Sequence, residues 1–220
     1  MAQGSAAAGA QAPGSEGYAK SRETRARILA AALDEATERG LQKASVARIA
    51  ARADAAIGSV HYHFGSRKEL LLELMRTLMA DLSDRLVAAT AADGADFFER
   101  HRAELLAYVG YLRANPAHVR LADELKFQEP DLYRQGLTDW VAQIATRIRA
   151  GVAEGSLRPM DETEITVQAH FLLGARHFLE DMLGPADRPG DEAVVDAYVA
   201  LVRDGLARAG DDPRPTGRPT

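Results

Sequence analysis

The stretch SVARIAARADAAIGSVHYHFGSRK, residues 45–68, decides the fold of this 220-residue chain. Its first half carries apolar side chains at the i, i+3, i+4 and i+7 spacing of one helical face, namely Val46, Ile49, Ala50 and Ala53. Asp54 interrupts this periodicity, and a second helix is predicted from about Ile57 to Phe64. Two short helices joined by a tight turn predict a helix-turn-helix, a motif whose second helix enters the major groove of DNA.

The second helix and the residues behind it carry a motif. The run IGSVHYHF, residues 57–64, followed by GSRKELL, residues 65–71, resembles the DNA-binding signature of the tetracycline-repressor (TetR) family of bacterial transcriptional regulators. The family pattern is a Gly-Thr-Leu-Tyr-Tyr-His-Phe run, a short turn, a Lys and a Glu-x-Leu-Leu helix start. This sequence has Asp54 where the family has a turn Gly, His61 for the first Tyr and Arg67 for the Lys. Because Asp tolerates a left-handed turn and Arg67 keeps a cation, the motif is retained.

The resemblance implies an all-α fold with two parts. The order of predicted elements agrees with the family from Lys20 to Gly210. A three-helix N-terminal head with the helix-turn-helix would form the DNA-binding domain, residues 20–66. A larger C-terminal helical body, residues 67–209, would bind ligand and dimerise. Residues 1–19, rich in Ala, Gly and Ser, and residues 210–220, rich in Pro and Gly, are expected to be disordered tails.

For function, the resemblance implies a ligand-responsive regulator of transcription. Its partners would be a double-stranded DNA operator, a second copy of the chain in a homodimer and an unidentified small-molecule effector. The most direct form is a repressor that the small molecule releases from a palindromic operator, with no cofactor and no enzymatic activity. By position in the motif, base edges would be contacted by Ala56, Ile57, Ser59 and His61. Phosphates would be contacted by Ser45, Arg48, Tyr62, His63, Arg67 and Lys68.

Charge and composition agree with this implication. Residues 20–70 hold 10 Lys and Arg against 6 Asp and Glu, a balance of +4, whereas residues 71–220 hold 17 against 25, a balance of −8. The basic part carries the motif, as expected of a module that binds a polyanion. The chain has no Cys, which agrees with a reducing compartment. Its start lacks the apolar core of a signal peptide and no apolar run approaches the ~18 residues of a membrane span, so we expect a soluble cytoplasmic protein without membrane contact.

Apolar stripes elsewhere predict seven further helices. They run from about 21 to 39, 67 to 89, 98 to 114, 116 to 127, 137 to 155, 162 to 183 and 191 to 209. Ser66 and Glu69 have the spacing of a capping box at the start of the fourth helix, which is predicted to join the motif to the body. The eighth helix carries apolar residues on two faces, and the ninth helix is similar. The first face of the eighth comprises Ile165, Ala169, Leu172, Leu179 and Leu183, and the second comprises Val167, Phe171, Gly174 and Phe178. One face is therefore expected to pack on the body and the other to form an intermolecular four-helix bundle, as in the resembled family.

Aromatic residues spread through the body indicate a pocket for a small molecule. His101 within an apolar stripe and Arg176 on an apolar face are polar groups of the kind that orient ligands. The alternative is an ordinary core in which Arg176 pairs with Glu180 or crosses the dimer interface. Candidate ligand contacts are His101, Tyr108, Phe127, Trp140, His170, Phe171 and Arg176. A cationic effector is hinted at by three acidic residues, Asp123, Glu124 and Glu129.

Two histidine pairs raise the question of a metal. His61 and His63 lie two residues apart, about 200° around a helix, and so cannot chelate one ion. His170 and His177 lie seven residues apart on one face, with Glu180 near, and either bind a metal or sit at the edge of the core. No metal site is predicted.

Two other classes of protein fit the sequence less well. It carries no nucleophile elbow, phosphate loop or Rossmann glycine motif, so an enzyme is not expected. A constitutive architectural DNA-binding protein would not need an acidic helical body of this length.

Overall fold

The computed structural model describes residues 15–91, 94–182 and 190–206. Within these ranges the chain forms helices and no β-strand. The nine helices there are α1 (Ser15–Arg39), α2 (Val46–Arg52), α3 (Ile57–Phe64), α4 (Arg67–Ala89), α5 (Phe97–Ala114), α6 (His118–Gln128), α7 (Pro130–Glu154), α8 (Glu162–Met182) and α9 (Asp191–Leu206). The predicted all-α class is confirmed.

Two compact units make up the chain, Met1–Thr77 and Leu78–Thr220. The division falls inside α4, whose first half belongs to the first unit and whose second half belongs to the second. The domain boundary expected from sequence lies at the start of that helix, one residue before Arg67.

The first unit is a helical head. Its core combines side chains from α1, α2, α3 and the beginning of α4, and the buried apolar residues include Ile28, Ala32, Ala36, Leu41, Ile49, Val60, Leu70 and Leu74. The same core contains six buried alanines, whose small side chains let short helices approach closely: Ala31, Ala32, Ala36, Ala44, Ala50 and Ala53. The predicted capping box forms at α4, because Ser66 N donates to Glu69 Oε2 at 3.1 Å and Glu69 N donates to Ser66 Oγ at 3.1 Å.

Helix α1 begins at Ser15, earlier than the predicted start near Ser21. Residues 17–20 are exposed, so this added turn buries no apolar stripe that a pattern would reveal. The remainder of the predicted tails, residues 1–14 and 210–220, lies outside the described residues. The predicted last residues of the eighth and ninth helices also lie outside them.

Two body helices begin at other residues than predicted. Helix α6 begins at His118 rather than Pro116. Helix α7 begins at Pro130, earlier than the predicted start near Leu137, because a proline fits the first helical turn without losing a hydrogen bond. Its predicted end is confirmed by Gly155, a C-cap with φ 80°.

The second unit packs around α5. Helix α5 buries apolar side chains against α7, α8 and α9, and the core includes Phe98, Leu105, Tyr111, Ile148, Leu172 and Val195. Gly151 on α7 admits a close approach, since a Cβ there would meet Leu157 Cδ1 at 2.9 Å and Phe97 Cδ2 at 3.1 Å. These contacts fix the α5 and α7 faces that line the cavity described below.

Helix α8 has one buried and one exposed apolar face. Ile165, Ala169, Leu172 and Leu179 are buried. On the other side Val167 is 45% and Phe171 72% exposed in the single chain. The first of the two predicted faces is therefore packed on the body, and the second is uncovered. The side chain of Phe178, predicted for that second face, lies outside the described residues.

Candidate functional site

Helix α3 turns one face to the core of the head and the other outward. Val60 and Phe64 are buried, whereas Ile57 is 50% and Tyr62 83% exposed. Of the other predicted contacts, Ala56, His61 and Lys68 are exposed, and Ser45, Ser59 and His63 are half-buried. A helix anchored by two apolar side chains thus presents an exposed aliphatic and an exposed aromatic residue on its outer side.

The turn before α3 has the left-handed geometry that the sequence predicted. Asp54 has φ 47° and is the one non-glycine residue with positive φ in the described ranges. Arg27 Nη2 donates to the Asp54 carbonyl at 3.2 Å, which ties the turn to α1. After α3, Gly65 takes φ 74° and its N–H donates to His61 O at 2.8 Å. Both ends of the recognition helix are therefore fixed by backbone geometry.

His61 is oriented by its own helix terminus. Its Nδ1 lies 3.0 Å from Gly65 O, so Nδ1 is the donor of that bond. In the neutral imidazole this leaves Nε2 as an acceptor, which can pair with an exocyclic amine of a base. Ser45 occupies the N-cap position of α2, although its hydroxyl makes no capping hydrogen bond.

Two of the predicted phosphate contacts are held by the protein itself. Arg67 Nε donates to Ala44 O at 2.7 Å, and its Nη2 donates to Leu41 O and Gln42 O at 2.6 and 2.8 Å. Arg48 Nε donates to Glu35 Oε1 at 2.5 Å. These side chains fasten the connection between α1 and α2. A phosphate role for either remains a prediction. The structural roles were missed because they depend on partners distant in sequence, three carbonyls for Arg67 and the Glu35 carboxylate for Arg48.

Glu35 is the buried charge at the centre of the head. It is 1% exposed, and its carboxylate lies 2.5 Å from Arg48, 3.6 Å from Arg39 and 3.8 Å from Arg52. Sequence reasoning overlooked it, although its position seven residues after Ile28 places it on the buried stripe of α1. It orients three arginines on one side of the helix-turn-helix.

A cavity in the second unit brings together charged groups from α5, α7 and α8. Its lining residues are Thr90, Phe97, Arg100, His101, Glu104, Ile144, Arg147, Leu172 and Arg176. His101 and Arg176, which the sequence singled out, both belong to it, and Tyr108 lies 6.0 Å from the Arg176 guanidinium. Glu104 and Arg147 were missed. The available signal for Glu104 was its position three residues after His101, on the same face of α5.

The buried carboxylate of Glu104 is the meeting point of this cluster. Its Oε1 lies 2.6 Å from Arg176 Nη2 and 2.9 Å from Arg147 Nη2. Its Oε2 lies 3.6 Å from His101 Nδ1. Neither guanidinium approaches along an N–H direction, so both contacts are ion pairs without aligned hydrogen bonds.

Burial and these neighbouring charges shift the pKa values of Glu104 and His101. Burial opposes ionisation of Glu104, but His101 together with the charges of Arg176 and Arg147 outweighs it and lowers the pKa of Glu104 to about 2. Burial lowers the pKa of His101 against the opposing pull of Glu104. At neutral pH the cluster therefore combines one carboxylate, two guanidiniums and an uncharged imidazole.

The structure does not bring the other candidate ligand contacts to this cavity. Phe127 is 81% exposed at the end of α6, and Trp140 is half-buried beside the core. His170 and Phe171 are exposed on α8, where His170 Nδ1 lies 2.7 Å from Thr166 O. Their aromatic character predicted a pocket, but none of them lines the cavity around Glu104. As ligand contacts they remain predictions.

The described residues form no metal site, since no group of three His, Cys, Asp or Glu side chains among them has the arrangement that a metal ion requires. The side chains of His177 and Glu180, which the sequence placed near His170, lie outside the described residues. Within the same part of the chain, no helix combines the length and apolar character needed to cross a membrane.

Comparison with known sequences agrees with this geometry. Residues 28–74, which include the helix-turn-helix, match the model of bacterial regulatory proteins of the tetR family. The HTH-type transcriptional repressor KstR2 of Rhodococcus jostii (strain RHA1) is 30% identical over 188 residues, which cover 77% of this chain and 84% of that protein.

Solved structures share the fold. The ketosteroid transcriptional regulator KstR2 of Mycobacterium tuberculosis superposes with a TM-score of 0.61 at 23% identity, covering 84% of this chain and 95% of that one. A bacterial regulatory protein of the tetR family from Rhodococcus RHA1 gives a TM-score of 0.67 at 21% identity, covering 85% and 98%.

The similarity therefore extends beyond the motif into the helical body. The relatives are regulators of transcription and not enzymes, which agrees with the exposed recognition helix and with the expectation from sequence. This chain belongs to the TetR family and is a DNA-binding transcriptional regulator.

Proposed function

We propose that this protein is a homodimeric repressor that leaves a palindromic operator when a small molecule binds its C-terminal body. The observation that carries the proposal is the combination of an exposed recognition helix in the first unit with a cavity lined by charged groups in the second. A relative of 30% identity is named a transcriptional repressor, which supports repression as the direction of control. A location in the cytoplasm, where bacterial DNA lies, is part of this proposal.

The uncovered face of α8 supports dimerisation. Val167 and Phe171 are one helical turn apart and both exposed, and Leu201 on α9 is 70% exposed. Large exposed apolar side chains on the last two helices are an unfavourable surface for a single chain. A second copy of the chain placed on this face would bury these side chains in an intermolecular four-helix bundle, the arrangement by which members of the family dimerise.

Dimer symmetry then constrains the operator. A two-fold axis makes the two recognition helices equivalent, so they enter successive major grooves of half-sites about one turn apart, roughly 34 to 36 Å. We propose that Ala56, Ile57, Ser59 and His61 contact base edges. We propose that Ser45, Tyr62, His63 and Lys68 contact phosphates, with Arg48 and Arg67 near the backbone while they hold the α1–α2 connection.

Release requires that ligand and operator weaken each other. A ligand shifts the equilibrium only if it binds the DNA-incompatible arrangement better than the DNA-compatible one. Helix α4, continuous from Arg67 to Ala89, belongs to both units and is the element through which we propose that this coupling acts.

The test is selection of DNA by the full-length protein from a pool of random duplexes, followed by titration of the selected duplex. We expect a palindrome bound by two chains. Recovery of sequences without two-fold symmetry, or binding by a single chain, would contradict the proposal. Small molecules that stabilise the protein thermally are then added, and we expect them to lower operator affinity. If the small molecules left operator affinity unchanged, the proposed release mechanism would be wrong. If they raised operator affinity, the small molecule would promote DNA binding instead of releasing the protein from DNA.

A further inference from the structure

We propose that the cavity around Glu104 is an anion subsite that takes the carboxylate of a small organic acid. This inference rests on the proposed function, because it names the chemical class of the effector. It is carried by three observations in the second unit: the balance of charge, buried polar groups without hydrogen-bond partners, and apolar walls beside them.

The charges facing the cavity do not cancel. The lining cations are Arg100, Arg147 and Arg176, and the lining anion is Glu104. Arg100 is accounted for by Glu154, since its Nη2 lies 2.6 Å from Glu154 Oε2. The remaining two guanidiniums share one carboxylate oxygen. With His101 neutral, one positive charge is left over. The Arg147 side chain as a whole is 31% exposed, but its Nη2 and that of Arg176 are buried, and an uncompensated buried charge is unfavourable. Binding of one anion would offset it.

Buried polar atoms point to the same ligand. Arg176 is 4% and His101 5% exposed, and both line the cavity. Arg176 Nε and Nη2 have no aligned hydrogen-bond partner among the described side chains. A protein seldom leaves such donors unsatisfied, because a buried donor without a partner has lost its hydrogen bonds to water and gained none in return. A carboxylate placed between the two guanidiniums would accept from both through charge-assisted bonds.

The size and walls of the cavity favour a carboxylate over a phosphate. One charge is unmatched, which equals the charge of a carboxylate, whereas a phosphate monoester brings about −1.5 to −2. The space is small, so it suits one polar group of a ligand rather than an entire large molecule. Phe97, Ile144 and Leu172 provide apolar surface beside the charged end. The acidic residues that hinted at a cationic effector do not line this cavity, and Glu124 pairs with Arg120 at 2.8 Å.

The experiment compares acids with their uncharged isosteres on the full-length protein without DNA. The probes are butyrate, octanoate and benzoate, each beside its amide, with inorganic phosphate as a further arm. Calorimetric titration and thermal shift are measured in carboxylate-free buffer. We expect at least one carboxylate to bind at least about tenfold more tightly than its amide, the ratio set by one charge-assisted hydrogen bond.

Two variants locate the binding. Arg147→Gln removes the unmatched charge while Glu104 keeps Arg176, so carboxylate affinity should fall about tenfold or more. Arg149→Gln is the matched control, because Arg149 lies on the same helix but pairs with Glu162 at the surface. It should bind the acids as the wild type does. Circular dichroism checks that both variants fold.

Each other outcome would overturn the anion subsite. Equal binding of acid and amide, absence of any carboxylate binding at millimolar concentration, or tighter binding of phosphate would each exclude it. Unchanged affinity in Arg147→Gln would place the acid elsewhere. If acids bind here without altering operator affinity, the subsite stands and the proposed release by effector fails, so the two ideas are tested separately.

Discussion

Arg176 and Glu104 meet in the interior of the second unit, with Arg176 Nη2 2.6 Å from Glu104 Oε1 and both side chains almost fully buried. Arg147 reaches the same oxygen at 2.9 Å. Three helices, α5, α7 and α8, each contribute one of these charges. The body is therefore held at its centre by an ion cluster that any change of charge will disturb.

Replacing Glu104 by Gln should destabilise the protein strongly. The variant leaves two guanidiniums in a low-dielectric site without a counter-charge, and breaking a buried pair in this way costs ~3–5 kcal/mol. Urea unfolding at neutral pH measures the change. Glu154→Gln is the control, because Glu154 is exposed in its pair with Arg100 and its loss should cost ~1 kcal/mol or less. Similar losses in both variants would contradict the central role of Glu104.

Lowering the pH should destabilise the protein through protonation of Glu104. The pKa of Glu104 is about 2 in the folded chain, against an ordinary value of 4.5. A depressed folded pKa means that ionised Glu104 stabilises the fold above pH 4.5 and that this stabilisation is lost as the pH falls toward 2. The wild type should therefore lose ~3 kcal/mol more than Glu104→Gln over that interval. Parallel pH profiles of the two free energies of unfolding would rule this out.

Glu35 should be the corresponding anchor of the head. Glu35→Gln removes the buried acceptor of Arg48, and we expect a loss of ~1–3 kcal/mol, less than at Glu104 because Arg48 can turn to water. Glu38→Gln is matched to it, since Glu38 pairs with Arg52 on the surface and its loss should change stability far less than the loss of Glu35. Thermal unfolding measures both variants. Equal unfolding midpoints for Glu35→Gln and Glu38→Gln would contradict the role of Glu35 as the anchor of the head.

The sequence was informative where local geometry decides the structure. The helix-turn-helix, the left-handed Asp54 and the Ser66–Glu69 capping box all follow from short-range patterns and are confirmed. His101 and Arg176 were found because they interrupt apolar stripes. Glu104 and Arg147 were not found, because their importance arises only when separate helices bring their charges together. The helix starts at Ser15 and Pro130 were also not predicted, because the first helical turns of α1 and α7 bury no periodic apolar stripe.

Substitutions of Arg67 and Lys68 should distinguish a structural role from DNA contact. Arg67→Ala removes donors to three carbonyls and should lower the unfolding midpoint along with operator affinity. Lys68→Ala changes an exposed cation, so it should weaken all DNA sequences alike and reduce the salt slope by about one unit with little effect on stability. Thermal shift and salt-dependent DNA titration together distinguish the two. An Arg67→Ala protein of wild-type stability would show that its carbonyl contacts contribute little.

The exposed face of α8 should set the oligomeric state. Phe171→Glu places a charge where we propose that two copies meet, and sedimentation should show a monomer at micromolar concentration. Phe127→Glu makes the same chemical change at a side chain that is 81% exposed on α6, and it should remain a dimer. A dimeric Phe171→Glu protein, or a monomeric Phe127→Glu protein, would place the interface elsewhere.

His61 should contribute to sequence preference rather than to general affinity. Its Nδ1 is engaged by Gly65 O, so Nε2 is the acceptor that can face an exocyclic amine in the major groove. His61→Ala should cost ~1–3 kcal/mol on the preferred operator and much less on a duplex changed at the contacted base pair, with an unchanged salt slope. Tyr62→Phe is the comparison, because we propose that its hydroxyl contacts phosphate. It should weaken both duplexes equally. If His61→Ala did the same, His61 would belong with the phosphate contacts.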